Sequence, residues 1–199
     1  MRALFIIDPQ NDFIEEGSLP VPGGKAALDN IAGYLNGHER FYNNIFVTMD
    51  HHPLKHISFI ENGGTWPEHC VAGTYGAEVN EPLKSKISSI MRSKMSNVAY
   101  CYKGTQVDKE EYSIFSLADG EPTNSAGKII ANTIKNSKIT EIHICGLAGD
   151  VCVHDTLSDL LKLYPKLKYS VLIDGVGSLD GGEKLTALAQ ESNVQIIKF

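Results

Sequence analysis

Six short apolar runs, separated by stretches of helical spacing or turn residues, set the rhythm of this chain. The first, Ala3 to Ile7, is apolar at every position and stops at Asp8, which suits a parallel strand buried on both faces. Pro9 and Gln10-Asn11-Asp12 follow, and Gly and Pro punctuation between Gly17 and Gly24 marks a long loop. A helix is expected from about Lys25 to Asn36, with Leu28, Ile31 and Leu35 on one stripe and Gly37 as its stop. The second run, Asn44 to Met49, also ends at an aspartate, Asp50. Residues 51–95 are rich in His, Gly, Pro and Asn and read as a long loop, which in a compact domain is usually functional. A third strand, Val98 to Tyr102, ends at Lys103-Gly104. Beyond a polar loop holding Tyr112 and Phe115, a helix over 125–136 is expected to turn Ile129, Ile130 and Ile134 inward. The fourth strand is Ile139 to Cys145, followed by a small-residue turn and a helix to Tyr164, with Val153, Leu157, Leu160, Leu161 and Tyr164 as its stripe. A strand from Tyr169 to Ile173 stopping at Asp174, a helix over about 182–192 and a strand from Val194 to Phe199 complete the pattern.

Strands alternating with helices predict right-handed crossovers and an α/β fold: a three-layer, Rossmann-like, six-stranded parallel sheet with helices on both faces. One domain spanning 1–199 accommodates all of it. In open sheets of this kind ligands sit beyond the carboxyl ends of the strands. The first four strands end at Asp8, Asp50, Lys103 and the turn before Cys152, so those groups are expected to converge on one edge.

Composition changes this picture little. The chain has 199 residues, 42% of them hydrophobic and 21% charged, which suffices for a full core. A net charge of −6 argues against a nucleic-acid or anionic-membrane surface. The apolar run at the N-terminus is too short for a signal peptide, and nothing approaches the ~20 apolar residues of a membrane span. Cys70, Cys101, Cys145 and Cys152 are irregularly spaced and suggest neither a zinc knuckle nor a disulfide framework. The chain therefore reads as a cytoplasmic protein with reduced thiols. Oligomeric state stays open, a homo-oligomer being one option.

The chemistry centres on Ile142 to Val153, I-H-I-C-G-L-A-G-D-V-C-V. Cys152 falls at a helix N-terminus, where unpaired N–H groups and the macrodipole favour thiolate over thiol. Its ordinary alternative is a small buried hydrophobe. Asp8 beside it could take the thiol proton, Lys103 could stabilise both charges, and the Ala148 to Cys152 amides could bind an oxyanion. A turn carboxylate and a solvated lysine are the ordinary alternatives for those two. A second constellation is Asp50-His51-His52, His56 and His69, where a D-x-H pair and a distant histidine give donors suited to a first-row metal. A solvated histidine-rich loop is the competing reading.

Together these stretches resemble the nicotinamidase/pyrazinamidase branch of the isochorismatase-like cysteine hydrolases. The matching pieces are I-I-D-P-Q-N-D-F (Ile6 to Phe13), D-H-H-P-L-K-H-I-S-F (Asp50 to Phe59), W-P-E-H-C-V-A-G-T-Y-G-A (Trp66 to Ala77), Y-K-G-T (Tyr102 to Thr105), Y-S-I-F (Tyr112 to Phe115) and G-L-A-G-D-V-C-V (Gly146 to Val153). W-P-x-H-C is the most discriminating. The resemblance implies the isochorismatase-like hydrolase fold and a catalytic triad of Asp8, Lys103 and Cys152. It implies an oxyanion hole of the Ala148 and Cys152 amides after a cis Leu147–Ala148 peptide. It further implies a divalent metal, zinc before iron or manganese, on Asp50, His52 and His69, with waters completing the shell and Ser58 hydrogen-bonded to one of them; the short loop between His52 and His69 leaves His56 either a fourth ligand or, preferably, a group behind the ligands. Phe13 and Trp66, with Tyr112, would wall the ring of nicotinamide, which would be hydrolysed to nicotinate and ammonia through a thioester; pyrazinamide would be a further substrate.

One departure stands out: the family commonly has threonine where this chain has Gly149. Two rival readings are a related cysteine hydrolase acting on another small amide or ureide, and a metal-binding or redox-sensing protein without turnover.

Overall fold

Six of the eight strands carry the six expected runs into one parallel sheet. The structure, a computed structural model, describes residues 1–199. Its elements are β1 (Arg2–Ile7), α1 (Gly24–Tyr34), β2 (Asn44–Asp50), α2 (Leu83–Ser93), β3 (Asn97–Lys103), β4 (Leu117–Ala118), β5 (Glu121–Pro122), α3 (Ser125–Asn136), β6 (Glu141–Gly146), α4 (His154–Leu163), β7 (Lys168–Val176), α5 (Glu183–Glu191) and β8 (Gln195–Ile197). The main sheet runs β3-β2-β1-β6-β7-β8, and every pairing in it is parallel. Strands β4 and β5 form a separate antiparallel hairpin.

β1 is central, and its alternating side chains divide the core in two. Leu4 and Ile6 pack with Leu28 and Ile31 of α1 and with Leu83, Ile87 and Ile90 of α2. Ala3, Phe5 and Ile7 pack on the other face with Ile130 and Ile134 of α3, Leu157 and Leu160 of α4, and Leu185 of α5. This is the three-layer arrangement expected, and burial of the two apolar sets is what holds it. No helix is long and apolar enough to cross a membrane, and all four cysteines are free.

Three details differ from the pattern read in the sequence. Residues 83–93, inside the expected loop, form α2, because Leu83, Ile87 and Ile90 fall on one helical face. Ile129 is 67% exposed: it lies one residue off the α3 stripe that Ile130 and Ile134 define. β7 does not stop at Ile173 but continues through Asp174 to Val176, with a register irregularity opposite Ile144 to Gly146. The Asp174 carboxylate accepts from the Phe199 N–H, away from the other strand-end groups.

The strand order reverses between β1 and β6, so the crevice beyond their carboxyl ends is the topological switch point, where such sheets bind ligands. Asp8 follows β1 and the Cys152 turn follows β6.

Candidate active site

Asp8 leaves β1 with φ +45°, a left-handed conformation that aspartate tolerates better than most residues. Its N–H donates to the Thr48 carbonyl at 3.1 Å, and the Thr48 hydroxyl donates to Asp8 Oδ1 at 2.7 Å. Lys103, at the end of β3, reaches across β2 and is completely buried. Its ammonium lies 2.8 Å from Asp8 Oδ2, 2.5 Å from Asp50 Oδ1 and 3.4 Å from Cys152 Sγ. A buried charge is tolerated only when paired in this way. Burial alone would lower the Lys103 pKa, but the two carboxylates hold it well above its ordinary value, so the ammonium keeps its proton. Burial raises the Asp8 carboxyl despite the pull of Lys103, and neighbouring Asp50 pushes the same way.

β6 ends at Gly146, where φ is +118° and an added Cβ would sit 2.1 Å from the Ile7 carbonyl; only glycine fits. The Leu147–Ala148 peptide is cis, as the resemblance implied. Gly149–Val153 then forms one wide π turn, with the Val153 N–H donating to the Ala148 carbonyl five residues back. Cys152 sits inside this turn, just ahead of α4. Burial pushes its thiol well up, Lys103 opposes, and Asp8 and Asp50 add to the rise. Burial thus works against the thiolate that the helix end and Lys103 favour. The Ala148 N–H donates to no protein acceptor.

Asp50, His52 and His69 are buried together, with ligand atoms within 4.8 Å of one another. His52 Nδ1 donates to the Gly104 carbonyl at 2.9 Å and His69 Nδ1 to the Pro67 carbonyl at 2.8 Å. A carbonyl only accepts, so both protons sit on Nδ1 and both Nε2 lone pairs face Asp50 Oδ2, at 3.7 and 3.9 Å. Two lone pairs and a carboxylate oxygen, too far apart to bond one another, form a donor set for a divalent cation, with backbone carbonyls fixing the imidazoles. Burial would raise the Asp50 carboxyl, but the Lys103 ammonium holds it well below the usual carboxylate range. His56 has both ring nitrogens engaged, Nδ1 with the Ser58 hydroxyl at 2.7 Å and Nε2 with the Lys109 carbonyl at 3.0 Å, and its ring centroid is 4.1 Å from that of His52. It packs behind His52, with Ser58 behind it in turn.

Phe13, on a short 3-10 turn (Asn11–Phe13), puts its ring centroid 5.7 Å from that of His69. The Trp66 indole N–H donates to the Tyr112 hydroxyl at 3.0 Å. Phe13, Trp66 and Tyr112 line one mostly apolar cavity together with Asp50, His69, Ala148 and Cys152. Seven of the residues singled out in the sequence thus line one cavity, with Asp8, Lys103 and His52 beside them, whereas His51 packs on Tyr102 away from it.

Several supporting residues escaped sequence reasoning. Thr48 reads as an ordinary strand residue. Glu111, buried, accepts from the Gly104 N–H at 3.0 Å and the Asn124 amide at 2.8 Å, and so fixes the carbonyl that orients His52. Gly104 has φ +61°, and a Cβ there would meet the His52 ring at 2.3 Å. Glu110, Leu19, Val21, Val151 and Leu179 complete the lining.

The isochorismatase domain pattern matches residues 2–194. A nicotinamidase/pyrazinamidase of Mycobacterium tuberculosis is 32% identical over 193 residues, which cover 96% of this chain and 94% of that protein. The crystal structure of a pyrazinamidase of Pyrococcus horikoshii in complex with zinc superposes with a TM-score of 0.78 at 31% identity, covering 100% of this chain and 99% of that one. A structure from L. infantum in complex with nicotinate gives a TM-score of 0.81 at 29% identity, covering 100% and 92%. The chain therefore belongs to the isochorismatase domain family, in its nicotinamidase and pyrazinamidase branch.

Proposed function

We propose that this protein is a metal-dependent cysteine amidohydrolase that converts nicotinamide to nicotinate and ammonia, a step of pyridine nucleotide salvage, and that it also accepts pyrazinamide. The observation that carries this reading is the Cys152 thiol, in contact with Lys103 and near Asp8, in an apolar cavity lined also by Asp50 and His69, with His52 grouped beside them. The relatives' named activities and the nicotinate in one related structure support the choice of ring and amide.

Phe13 and Trp66 flank the ring, with Tyr112 bracing Trp66. Asp8 accepts the Cys152 proton as Sγ forms its bond to the amide carbon, so no standing thiolate is needed. The Ala148 and Cys152 amides take the charge that develops on the carbonyl oxygen. Asp8 returns the proton to the amide nitrogen, the C–N bond breaks, and ammonia leaves a thioester on Cys152. Asp8 then takes a proton from water, the hydroxide adds to the same carbon, and the C–S bond breaks. The thiol recovers its proton and the acid departs. Lys103 stays charged throughout and stabilises the transient thiolate.

Asp50, His52 and His69 would hold a divalent ion, zinc by preference since two imidazoles and a carboxylate are zinc-type donors that iron and manganese also accept. When bound, such an ion supplies a Lewis-acid seat that orients the pyridine nitrogen of the substrate. Four free cysteines, all buried, fit a reducing cytoplasmic setting.

The direct test is ammonia release from nicotinamide by the metal-loaded protein. No release would sink the proposal, and release from other amides or ureides alone would favour the related hydrolase.

A further inference from the structure

Gln10 is fully buried two residues beyond Asp8, and it plays no part in the reaction described above. Its side chain takes both backbone polar groups of Asp50: Oε1 accepts from the Asp50 N–H at 2.8 Å, and Nε2 donates to the Asp50 carbonyl at 2.7 Å. Nε2 also donates to the Ala77 carbonyl at 3.0 Å, and the Gln10 N–H donates to the Asp8 carbonyl at 2.8 Å. The reason lies in the sheet. β1 pairs with β2 only as far as Ile6 opposite Val47, while β2 and β3 stay paired to Asp50 opposite Lys103. On the β1 side, Asp50 has run past the last strand partner. The Gln10 carboxamide sets an acceptor and an N–H donor side by side in one plane, in the place of the missing peptide group, and donates its second N–H to Ala77.

We infer that Gln10 is a positioning residue for the metal site, aiming the Asp50 carboxylate by clasping its backbone. This rests on the proposed metal reading of Asp50, His52 and His69. Asp50 is the shared element of the site, with Oδ1 on Lys103 and Oδ2 facing the two histidines. A shift of its backbone moves both. Because the Gln10 backbone N–H also bonds the Asp8 carbonyl, one residue ties together the backbones that carry the two carboxylates on either side of Lys103, its side chain acting on Asp50 alone. Leucine matches its size but makes none of the three side-chain bonds. Glutamate keeps an acceptor for the Asp50 N–H but turns an oxygen toward two carbonyls.

The test is calorimetric titration of zinc into metal-stripped protein without substrate, for wild type, Gln10→Leu, Gln10→Glu and Asn11→Ala. Asn11 braces the same loops through Tyr75 and Asn80 without touching Asp50, so it reports loop bracing alone. Removing a partner that orients a metal ligand typically weakens binding 10–100-fold. That loss is expected for both Gln10 variants, with KM at saturating zinc rising by a larger factor than kcat falls. Asn11→Ala should lower the melting temperature and leave zinc affinity within about twofold, a margin small beside that loss. Wild-type zinc affinity in either folded Gln10 variant, or an equal loss in Asn11→Ala, would overturn the inference. So would failure of both Gln10 variants to fold with zinc present, since the residue would then be a folding determinant. A wild-type protein that binds no zinc would overturn the metal reading and this inference together. One that binds zinc but does not hydrolyse nicotinamide would overturn the proposed reaction alone.

Discussion

The ammonium of Lys103 lies 3.4 Å from the sulfur of Cys152, and burial nevertheless pushes the thiol well up. Burial and two nearby carboxylates outweigh one cation. The contact therefore acts when charge moves: once Asp8 removes the proton, the thiolate meets a cation already in place and already desolvated.

Cys152→Ala tests that assignment. The substitution removes one small side chain beside the π turn and leaves Asp8 and Lys103 paired at 2.8 Å. Turnover should vanish while circular dichroism and metal content match the wild type. Retained ammonia release would remove the thioester mechanism.

The pH profile should report Asp8. Burial raises this carboxyl above the ordinary aspartate value of 3.8, Lys103 opposing and Asp50 adding to the rise. An acid with a raised pKa holds its proton more tightly in the native state. Activity should therefore be lost as pH falls through that raised value, with the acid limb of kcat/KM above 3.8. By the same sign, the contribution of Asp8 to stability is greatest below its unfolded pKa and declines as pH rises through the folded one. A profile flat through the mildly acidic range would show that another group is the base.

His69 and His56 should separate cleanly. His69→Ala removes one of three convergent donors, so bound metal should fall and KM rise with the fold intact. His56→Ala removes a ring that packs on His52 and bonds Ser58, so metal content should change far less. Elemental analysis of both variants decides it; unchanged metal in His69→Ala would show the ligand set is wrong.

The Trp66–Tyr112 bond is the third element of the site that invites a test. A neutral hydrogen bond contributes about 0.5–1.5 kcal/mol, so Trp66→Phe and Tyr112→Phe should each raise KM roughly two- to tenfold. Because both remove the same bond, the double variant should cost less than the two losses added together. Full additivity in that cycle would mean that the bond does not position the ring.

How much of this could be read from the chain alone differs by element. The ends of β1 and β2 are legible because a buried parallel strand reads as a near-continuous apolar run, so Asp8 and Asp50 mark where the runs stop, whereas Lys103 closes a half-exposed edge strand. α2 is not legible, because Pro82, Lys84, Ser85, Lys86, Ser88 and Ser89 give a loop-like composition around the three buried positions. The clasp of Gln10 on Asp50 spans 40 residues and joins a side chain to a backbone, so it leaves no periodicity to detect. The upward push on the Cys152 thiol comes from burial among groups from three strand ends, which local position at a helix start does not convey.

Gly149 is the remaining departure from the family pattern, and the structure gives it a physical reason. A Cβ at this position would lie 2.1 Å from the Ser178 hydroxyl and 2.8 Å from Val176 Cγ1. The chain leaving β7 thus fills the space a side chain at 149 would need, and the Gly149 N–H is held by the Gly177 carbonyl at 2.8 Å. The glycine therefore permits closer packing of the nucleophile turn. Gly149→Thr should destabilise by about 1–3 kcal/mol, the usual cost of overpacking, and lower kcat by displacing Cys152. Adding Ser178→Gly frees the nearest atoms and should restore part of both losses. Melting temperature and kcat of the single and double variants provide the test. If the double variant recovers neither, Ser178 does not account for the glycine.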